Sequence, residues 1–246
     1  MPNPTAAMLT IGDEILSGRT RDANLPALAA ALAAAGIDLR EARVVPDVAA
    51  EIVAAVNALR ARYDHVFTSG GIGPTHDDIT ADAVAAAFGA PIDVRADARA
   101  ALVRHYPNGE ADLNPARLRM ARIPEGATLI ENPVSGAPGF SLGNVHVMAG
   151  VPSIFAAMLA GLVPRLAGGR PLLTATLRIA RPEGEIAEPL RALAAAHPAV
   201  SIGCYPFGLG GRPGANVVLR AEDAAALAAA EADLAALRVA LEGAPA

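Results

Sequence analysis

The chain has 246 residues, of which 53% are hydrophobic and 18% are charged, so it can bury a core and intrinsic disorder is excluded. The formal net charge is −5, and all 20 basic residues are arginine, which disfavours a broad nucleic-acid-binding face and excludes chemistry that needs a catalytic lysine. One cysteine, no signal-peptide pattern and no apolar run near ~20 residues predict a cytoplasmic protein without internal disulfides or membrane contact.

The first half of the chain alternates strand and helix patterns. Strands are predicted at residues 6–11, 37–45 and 65–68. Helices are predicted at 24–35, 48–62 and 79–88, with Asn24 and Asp47 as N-caps of the first two. Strands separated by helices of this length favour a parallel sheet covered on both faces, with right-handed crossovers.

The second half is more broken by glycine and proline. We predict two helices within residues 93–123, a strand at 127–130, a hairpin within 134–150 and a helix at 151–166 that Pro152 opens. The segment 168–171 is the best boundary, which gives an α/β domain at 1–169 and a small α+β appendage at 170–246. In the appendage we predict strands at 172–179, 200–204 and 216–219, a glycine-rich turn before the last strand, and helices at 183–196 and to about 241.

A glycine-rich segment, SGGIGPTHDDIT at residues 69–80, links the third strand to the following helix. Backbone N–H groups beside a helix N-terminus form an anion site, and we expect a side chain at Gly71 to block the approach of a phosphate. The spacing fits neither the Walker motif nor G-x-G-x-x-G. The predicted phosphate- or pterin-binding residues of this loop are Ser69, Gly70, Gly71, Gly73, Pro74 and Thr75.

Carboxylates follow each of the first three predicted strands, at the sheet edge where ligands of parallel sheets bind. Asp13 and Glu14 follow the first strand, Asp47 the second, and Asp77 and Asp78 the third. Such a rim suggests a divalent metal (Mg, Mn or Co) bridging carboxylate and phosphate, with Asp13, Glu14, Asp77 and Asp78 as candidate ligands, or a carboxylate that accepts a hydrogen bond from a ribose or pterin group. The simpler alternatives are helix caps and solvated loop charges.

A second helix start is expected at the same rim. Gly150, Pro152 and Ser153 follow a predicted strand, and Gly12 follows the first strand, so we include all four among the candidate binding residues. The alternative is an ordinary helix start. His76 lies inside the glycine loop, where a ligand role, a phosphate-donor role and simple exposure stay open.

At these residues the chain resembles the molybdopterin-binding (MoCF, MogA/MoaB-like) domain superfamily, and within it the N-terminal part of the competence/damage-inducible protein A (CinA) family. The N-terminal domain of FAD synthases is similar. The matching segments run in family order and span nearly the whole chain. They are GDEILSG (12–18), Asn24, VVPD (44–47), SGGIGPTHDDIT (69–80), GAPGF (136–140), AGVPS (149–153) and SIGCYPF (201–207).

The resemblance implies a three-layer α/β/α domain whose active site includes Asp47 and Asp78. It also implies metal-dependent hydrolysis of nucleotide pyrophosphates such as ADP-ribose or FAD. CinA proteins usually carry a further amidase domain, and this chain ends at Ala246 without one, so we expect no amidase or FAD-synthesising activity. Ile154 stands where many members have glutamate.

Three functions are weighed. The first is pyrophosphate hydrolysis of a nucleotide. The second is molybdopterin binding or adenylyl transfer to molybdopterin, which the same rim would serve. The third is nucleic-acid binding, because the appendage resembles a KH module, whose G-x-x-G loop lies between helices. Gly211–Gly214 has the letters but lies between predicted strands, and six arginines oppose eight carboxylates from residue 175 on. We therefore expect a small-molecule nucleotide or pterin ligand, no nucleic acid, and a homo-oligomer, either dimer or trimer.

Overall fold

The computed structural model describes residues 2–209 and 212–243 of the protein. The chain divides into two compact units, Met1–Gly169 and Arg170–Ala246. Among the helices of the described ranges, none has the length and apolar character needed to cross a bilayer.

The first unit contains eight strands and seven α-helices among its described residues. The strands are β1 (Thr5–Ile11), β2 (Asp38–Val45), β3 (His65–Ser69), β4 (Ile92–Val94), β5 (Arg122–Pro124), β6 (Thr128–Ile130), β7 (Gly139–Leu142) and β8 (Val145–Met148). The helices are α1 (Asp13–Leu16), α2 (Asn24–Ala34), α3 (Ala49–Arg60), α4 (Thr80–Phe88), α5 (Ala96–His105), α6 (Pro115–Arg119) and α7 (Pro152–Leu162).

Six of these strands form one sheet in the order β2-β1-β3-β8-β7-β6. The first four run parallel, and β7 and β6 are antiparallel to their neighbours. The carboxyl ends of β1, β2, β3 and β8 therefore meet at one edge of the sheet. The predicted α/β class with a mostly parallel sheet is confirmed.

Helices cover both faces of this sheet, and β1 is therefore buried on both sides. Ala7, Leu9 and Ile11 of β1 belong to a core with α3 and α4. Ala6 and Met8, which point to the other face, belong to a second core with α2 and α7. The crossover from β1 to β2 thus uses one face and the crossover from β2 to β3 the other. Such a reversal places the ligand-binding crevice at the carboxyl end of β1 and β3.

The second unit consists of β9 (Leu173–Ile179), α8 (Glu183–Ala196), β10 (Ser201–Leu209), β11 (Arg212–Ala221) and α9 (Ala224–Gly243). Its antiparallel sheet has the order β10-β11-β9. The apolar face of this sheet packs against residues such as Ile186 of α8 and Leu234 of α9. This is an α+β arrangement, as predicted from the sequence.

The structure differs from the predicted secondary structure in two places. The two helices expected within residues 93–123 are present as α5 and the short α6, with a 3-10 turn at Gly109–Asp112 between them, but the strands β4 and β5, which pair with each other at the ends of this stretch, were not predicted. The expected glycine-rich turn is shorter than predicted, because β10 continues through Leu209 and β11 begins at Arg212. Gly211 of the G-x-x-G segment lies outside the described residues, and Arg212–Gly214 pair as strand with 207–209.

Candidate functional site

A cleft of about 530 Å³ lies at the carboxyl edge of the parallel strands. Its wall comes from the loops that follow β1, β3 and β8 and from residues 132–137. Eight predicted site residues line it: Glu14, Gly70, Gly71, Gly73, Pro74, Asp78, Gly150 and Pro152. The topology thus brings together residues that are up to 138 positions apart, from Glu14 to Pro152, as the sequence predicted.

The glycine loop is anchored at both of its ends. Gly70 donates its N–H to the Met148 carbonyl (3.2 Å), and Thr80 donates its N–H to the Gly71 carbonyl (2.9 Å). Within residues 2–209 and 212–243, the N–H groups of Gly71, Ile72 and Gly73 donate to no protein acceptor. The loop therefore offers three consecutive backbone donors at the wall of the cleft, which is the arrangement that binds phosphate.

The structure gives a different reason for the glycine at position 71 from the one expected from the sequence. Its φ is +67°, and a Cβ there would collide with Thr80 Oγ1. The Thr80 hydroxyl also donates to the Gly70 carbonyl at 3.0 Å. Contact with the start of α4 and the left-handed backbone, rather than space for a ligand, are the constraints that the structure shows at this position.

Asp78 closes the loop on itself. One of its carboxylate oxygens accepts from the Thr75 N–H (2.8 Å) and from the Thr75 hydroxyl (2.5 Å). The first residue of α4 is Thr80 and the N-cap position belongs to Ile79, so Asp78 does not cap this helix. Asp77 is different, because its side chain is 63% exposed and lies 4.0 Å from the exposed ring of His76.

Asp47 joins two of the loops at the rim. Its Oδ2 accepts from the Asp13 N–H at 3.0 Å. The N-cap position of α3 belongs to Val48, so the predicted Asp47 cap is wrong, because the carboxylate is used by the loop after β1 instead. Partial burial raises the pKa of Asp47, and the negative charges of Asp13, Glu14 and Asp77 add to this rise, against the Asp13 hydrogen bond that lowers it.

The carboxylates at this rim do not form a complete metal cage. Among the described residues, no group of three or more His, Cys, Asp or Glu side chains is placed to hold a metal ion. Glu14 and Asp78 are the two carboxylates on the wall of the cleft. The Glu14 carboxylate lies over Gly12, where a Cβ would stand 2.6 Å from it. Gly12 therefore supports the position of Glu14.

A buried polar network under the cleft was not found from the sequence. Asn24 is 5% exposed and donates through Nδ2 to Ser69 Oγ (2.7 Å) and to the Gly150 carbonyl (2.7 Å). The N-cap position of α2 belongs to Ala23, so the predicted Asn24 cap is wrong, and Asp22 accepts from the backbone N–H groups of Asn24 and Leu25. The other oxygen of Asp22 accepts from the Thr10 hydroxyl at 3.0 Å.

The network changes the assignment of Ser69. Its side chain is buried and accepts from Asn24, so its hydroxyl fixes the loops rather than facing the cleft. Gly150 lies directly on Gly70, since a Cβ at 150 would be 3.2 Å from the Gly70 Cα. These contacts hold the loops after β1, β3 and β8 together.

The start of α7 supplies the second set of donors. Val151 is at the N-cap position and Pro152 is the first helical residue, with Ser153 exposed beside it. Within the described ranges, the N–H groups of Ser153 and Ile154 donate to no protein acceptor. The helix dipole and these donors favour an anion at the edge of the cleft. Ile154 lines the wall and makes it apolar at this point.

Comparison with known proteins identifies the families to which the two units are similar. Residues 7–168 match the family described as a probable molybdopterin binding domain, and residues 171–240 match the middle domain of FAD synthase. A CinA-like protein of Desulfosudis oleivorans is 36% identical over 209 residues, which are 80% of this chain and 51% of that protein. The chain thus spans about half the length of this relative.

Two further relatives match more of their own length. A protein of Pyrobaculum calidifontis is 35% identical over 84% of this chain and 82% of its own. A crystal structure of a CinA protein of unknown function from Thermoplasma acidophilum superposes with a TM-score of 0.62 at 37% identity, over 67% of this chain and 99% of that one. The chain belongs to the molybdopterin-binding domain family, joined to a segment like the middle domain of FAD synthase, and its relatives include CinA-like proteins.

Proposed function

We propose that the protein hydrolyses the pyrophosphate bond of a nucleotide-containing substrate in this cleft, with a divalent metal ion. The observation that carries the proposal is the convergence of two sets of free backbone donors with two carboxylates on one wall. The donors of Gly71–Gly73 and of the α7 start would each hold a phosphate, and the volume of about 530 Å³ suits a nucleotide.

The carboxylates fit a metal that shares its ligands with the substrate. Mg²⁺ usually binds through one or two carboxylates, with waters and substrate phosphates completing its shell. Glu14 and Asp78 would hold Mg²⁺, Mn²⁺ or Co²⁺, ahead of Asp13 and Asp77, because only the first two line the cleft. Such an ion would neutralise phosphate charge and lower the pKa of a bound water.

The remaining roles belong to positioning residues. Asp47 holds the backbone of Asp13 and so fixes the segment that carries Glu14. Asn24 and Ser69 keep the two donor loops at a fixed separation. Preorganised donors of this kind stabilise charge that develops on phosphate oxygens during cleavage.

The test is a product analysis. The protein is incubated with ADP-ribose and with FAD, each with Mg²⁺, Mn²⁺ or Co²⁺, and the nucleotides are separated by chromatography. AMP is the expected product. We expect Asp78→Asn to reduce turnover by at least ~10²-fold, the scale of losing a positioned catalytic group. Asp77→Asn is the matched control, because the side chain is exposed and lies off the wall.

Two outcomes would contradict the proposal. If Asp78→Asn keeps its activity while Asp77→Asn loses it, the assignment of the two carboxylates is reversed. If the wild-type protein yields no AMP with any metal, the hydrolase proposal is wrong.

A second candidate function is favoured by the family match. The first unit matches a probable molybdopterin binding domain, so molybdopterin is the alternative ligand of the same cleft. The hydrolase is preferred because residues 171–240 match part of FAD synthase, an enzyme whose product is a dinucleotide with a pyrophosphate. Titration with molybdopterin, and a search for adenylylated molybdopterin in the presence of Mg²⁺ and ATP, distinguish the two.

A further inference from the structure

Two half-buried arginines lie behind the glycine loop, where the sequence analysis placed no charge. Arg119 ends α6 and Arg122 begins β5. Both line a small cavity whose other walls include Gly71, Gly73 and Asp78. These three residues also line the cleft. The arginines therefore share the loop backbone with the proposed phosphate site.

The charges of the two arginines are compensated differently. The Arg122 guanidinium forms an ion pair with Asp82, with 2.5 Å between Nη2 and Oδ1. No carboxylate of the described residues lies within 4 Å of the Arg119 guanidinium, which donates through Nη2 to the Asp78 carbonyl at 3.2 Å. The Nε atoms of Arg119 and Arg122 are both buried and have no partner in the described ranges, so in charge compensation the two arginines differ only in the carboxylate that pairs with Arg122. Leaving a buried N–H of a charged group unpaired destabilises the fold, so its retention calls for a compensating role.

The cleft itself needs a positive charge. Glu14 and Asp78 are on its wall, and no arginine or histidine is among the described residues that line it. Two negative charges oppose the binding of a diphosphate. A cation at hydrogen-bond distance from the backbone of Asp78 lies within the range at which partly buried charges interact without full screening.

We propose that Arg119 is the residue that makes this cleft selective for ligands with two or more phosphates. Its positive charge acts across the backbone at Asp78 and offsets the carboxylates of Glu14 and Asp78. The ligand class is a nucleoside diphosphate or its esters. This inference rests on the proposed function, since it assumes that the cleft binds nucleotide phosphates.

The test compares ligands that differ in charge and share adenosine. ADP, AMP and adenosine are titrated calorimetrically into the full chain with Mg²⁺ present. Arg119→Gln keeps N–H donors for the Asp78 carbonyl and removes the charge. We expect it to weaken ADP binding by roughly 10- to 100-fold, the scale of removing one partly screened positive charge near the phosphates, to weaken AMP less, and to leave adenosine unchanged. Arg119→Lys should recover most of the ADP affinity.

Arg117→Gln is the matched control on the same helix. Its guanidinium lies 4.3 Å from the centre of the Tyr106 ring and donates to the Asp112 carbonyl at 2.6 Å, away from the loop. We expect its affinity for all three ligands to stay at the wild-type value.

Two results would overturn the proposal. If Arg119→Gln binds ADP as tightly as wild type, or loses ADP and adenosine equally, Arg119 has only a structural role. Those outcomes leave hydrolysis by the wild type intact. If the wild type neither binds ADP nor cleaves ADP-ribose, the proposed function and this inference fall together.

Discussion

Acid should destabilise the first unit, and the buried histidine His146 should make the largest contribution of the histidines. His146, in β8, is 4% exposed and packs with its ring centre 5.0 Å from that of Phe67. Its Nε2 lies 3.2 Å from His65 Nδ1, and its Nδ1 lies 2.8 Å from the Ser141 hydroxyl. Burial, with the neighbouring His65 adding to it, lowers the pKa of His146 from 6.5 to about 4. The folded protein therefore holds this ring neutral.

The size of this loss of stability follows from the pKa of His146 in the unfolded and in the folded chain. The unfolded chain takes up the proton near pH 6.5 and the folded chain only near pH 4, so the contribution to stability is complete above pH 6.5 and is lost as the pH falls towards 4. Linkage gives a loss of about 2 kcal/mol at about pH 5 and about 3 kcal/mol below pH 4 for this one group.

The contribution of His146 to the pH dependence of stability is measured by comparing wild type with a variant that lacks this ring. Urea unfolding of wild type and His146→Gln is measured at about pH 7.5 and about pH 5, since glutamine can still bond to Ser141 and does not titrate. We expect the variant to be less stable at the higher pH but to lose about 2 kcal/mol less than wild type between the two. His76→Gln, at a fully exposed ring, should lose as much as wild type.

A direct measurement accompanies the unfolding data. The ring-proton signals of His146 in NMR spectra should shift only as the pH approaches about 4. Titration of this ring near pH 6.5, or equal losses of stability in wild type and His146→Gln, would refute the reasoning.

Two further predictions concern the glycine loop and the second unit. Gly71→Ala should lower the free energy of unfolding by more than Gly89→Ala: both glycines have a positive φ, which costs an alanine about 1–2 kcal/mol, but only a Cβ at position 71 collides with Thr80. Urea unfolding of both variants tests this, and equal losses of stability would show that the Thr80 contact costs nothing. The full chain should bind single-stranded RNA more weakly than micromolar at about 150 mM salt, because carboxylates outnumber arginines from residue 175 on; a filter-binding titration with micromolar affinity would contradict this.

The sheet was predictable because its central strands are buried on both faces. All residues of β1 after Thr5 are buried, and such a run between glycine and proline is typical of a central parallel strand. The pairing of residues 92–94 with 122–124 was not predictable in this way. β4 and β5 have three residues each, which is too short for a periodic pattern, and they are strands only because they pair with each other.

The convergence of the loops at one edge of the sheet was also predictable, since it follows from where parallel strands end. The roles of individual polar residues were not. Asp47 and Asn24 both stand where a helix begins, so local pattern favours a cap for each. In the structure, Asp47 binds Asp13 and Asn24 binds Ser69 and Gly150. Their partners lie 34 to 126 positions away in the chain, and no local pattern encodes such a distance.

The positive charge behind the loop could not be predicted for the same reason. From the sequence, five carboxylates and one glycine loop suggested a divalent metal, or a hydrogen bond to a ribose or pterin group, that makes the rim compatible with phosphate. Arg119 lies 41 positions from Asp78 and reaches it because α6 and β5 fold back behind the loop, where the pairing of β4 with β5 was not predicted. The proposed site combines backbone donors, two carboxylates and a cation behind the backbone. A metal ion therefore has less phosphate charge to neutralise than the sequence suggested. The affinity of the site for diphosphates should therefore persist, though weakened, when the metal is removed with a chelator, and the Arg119→Gln variant should lose this remaining affinity.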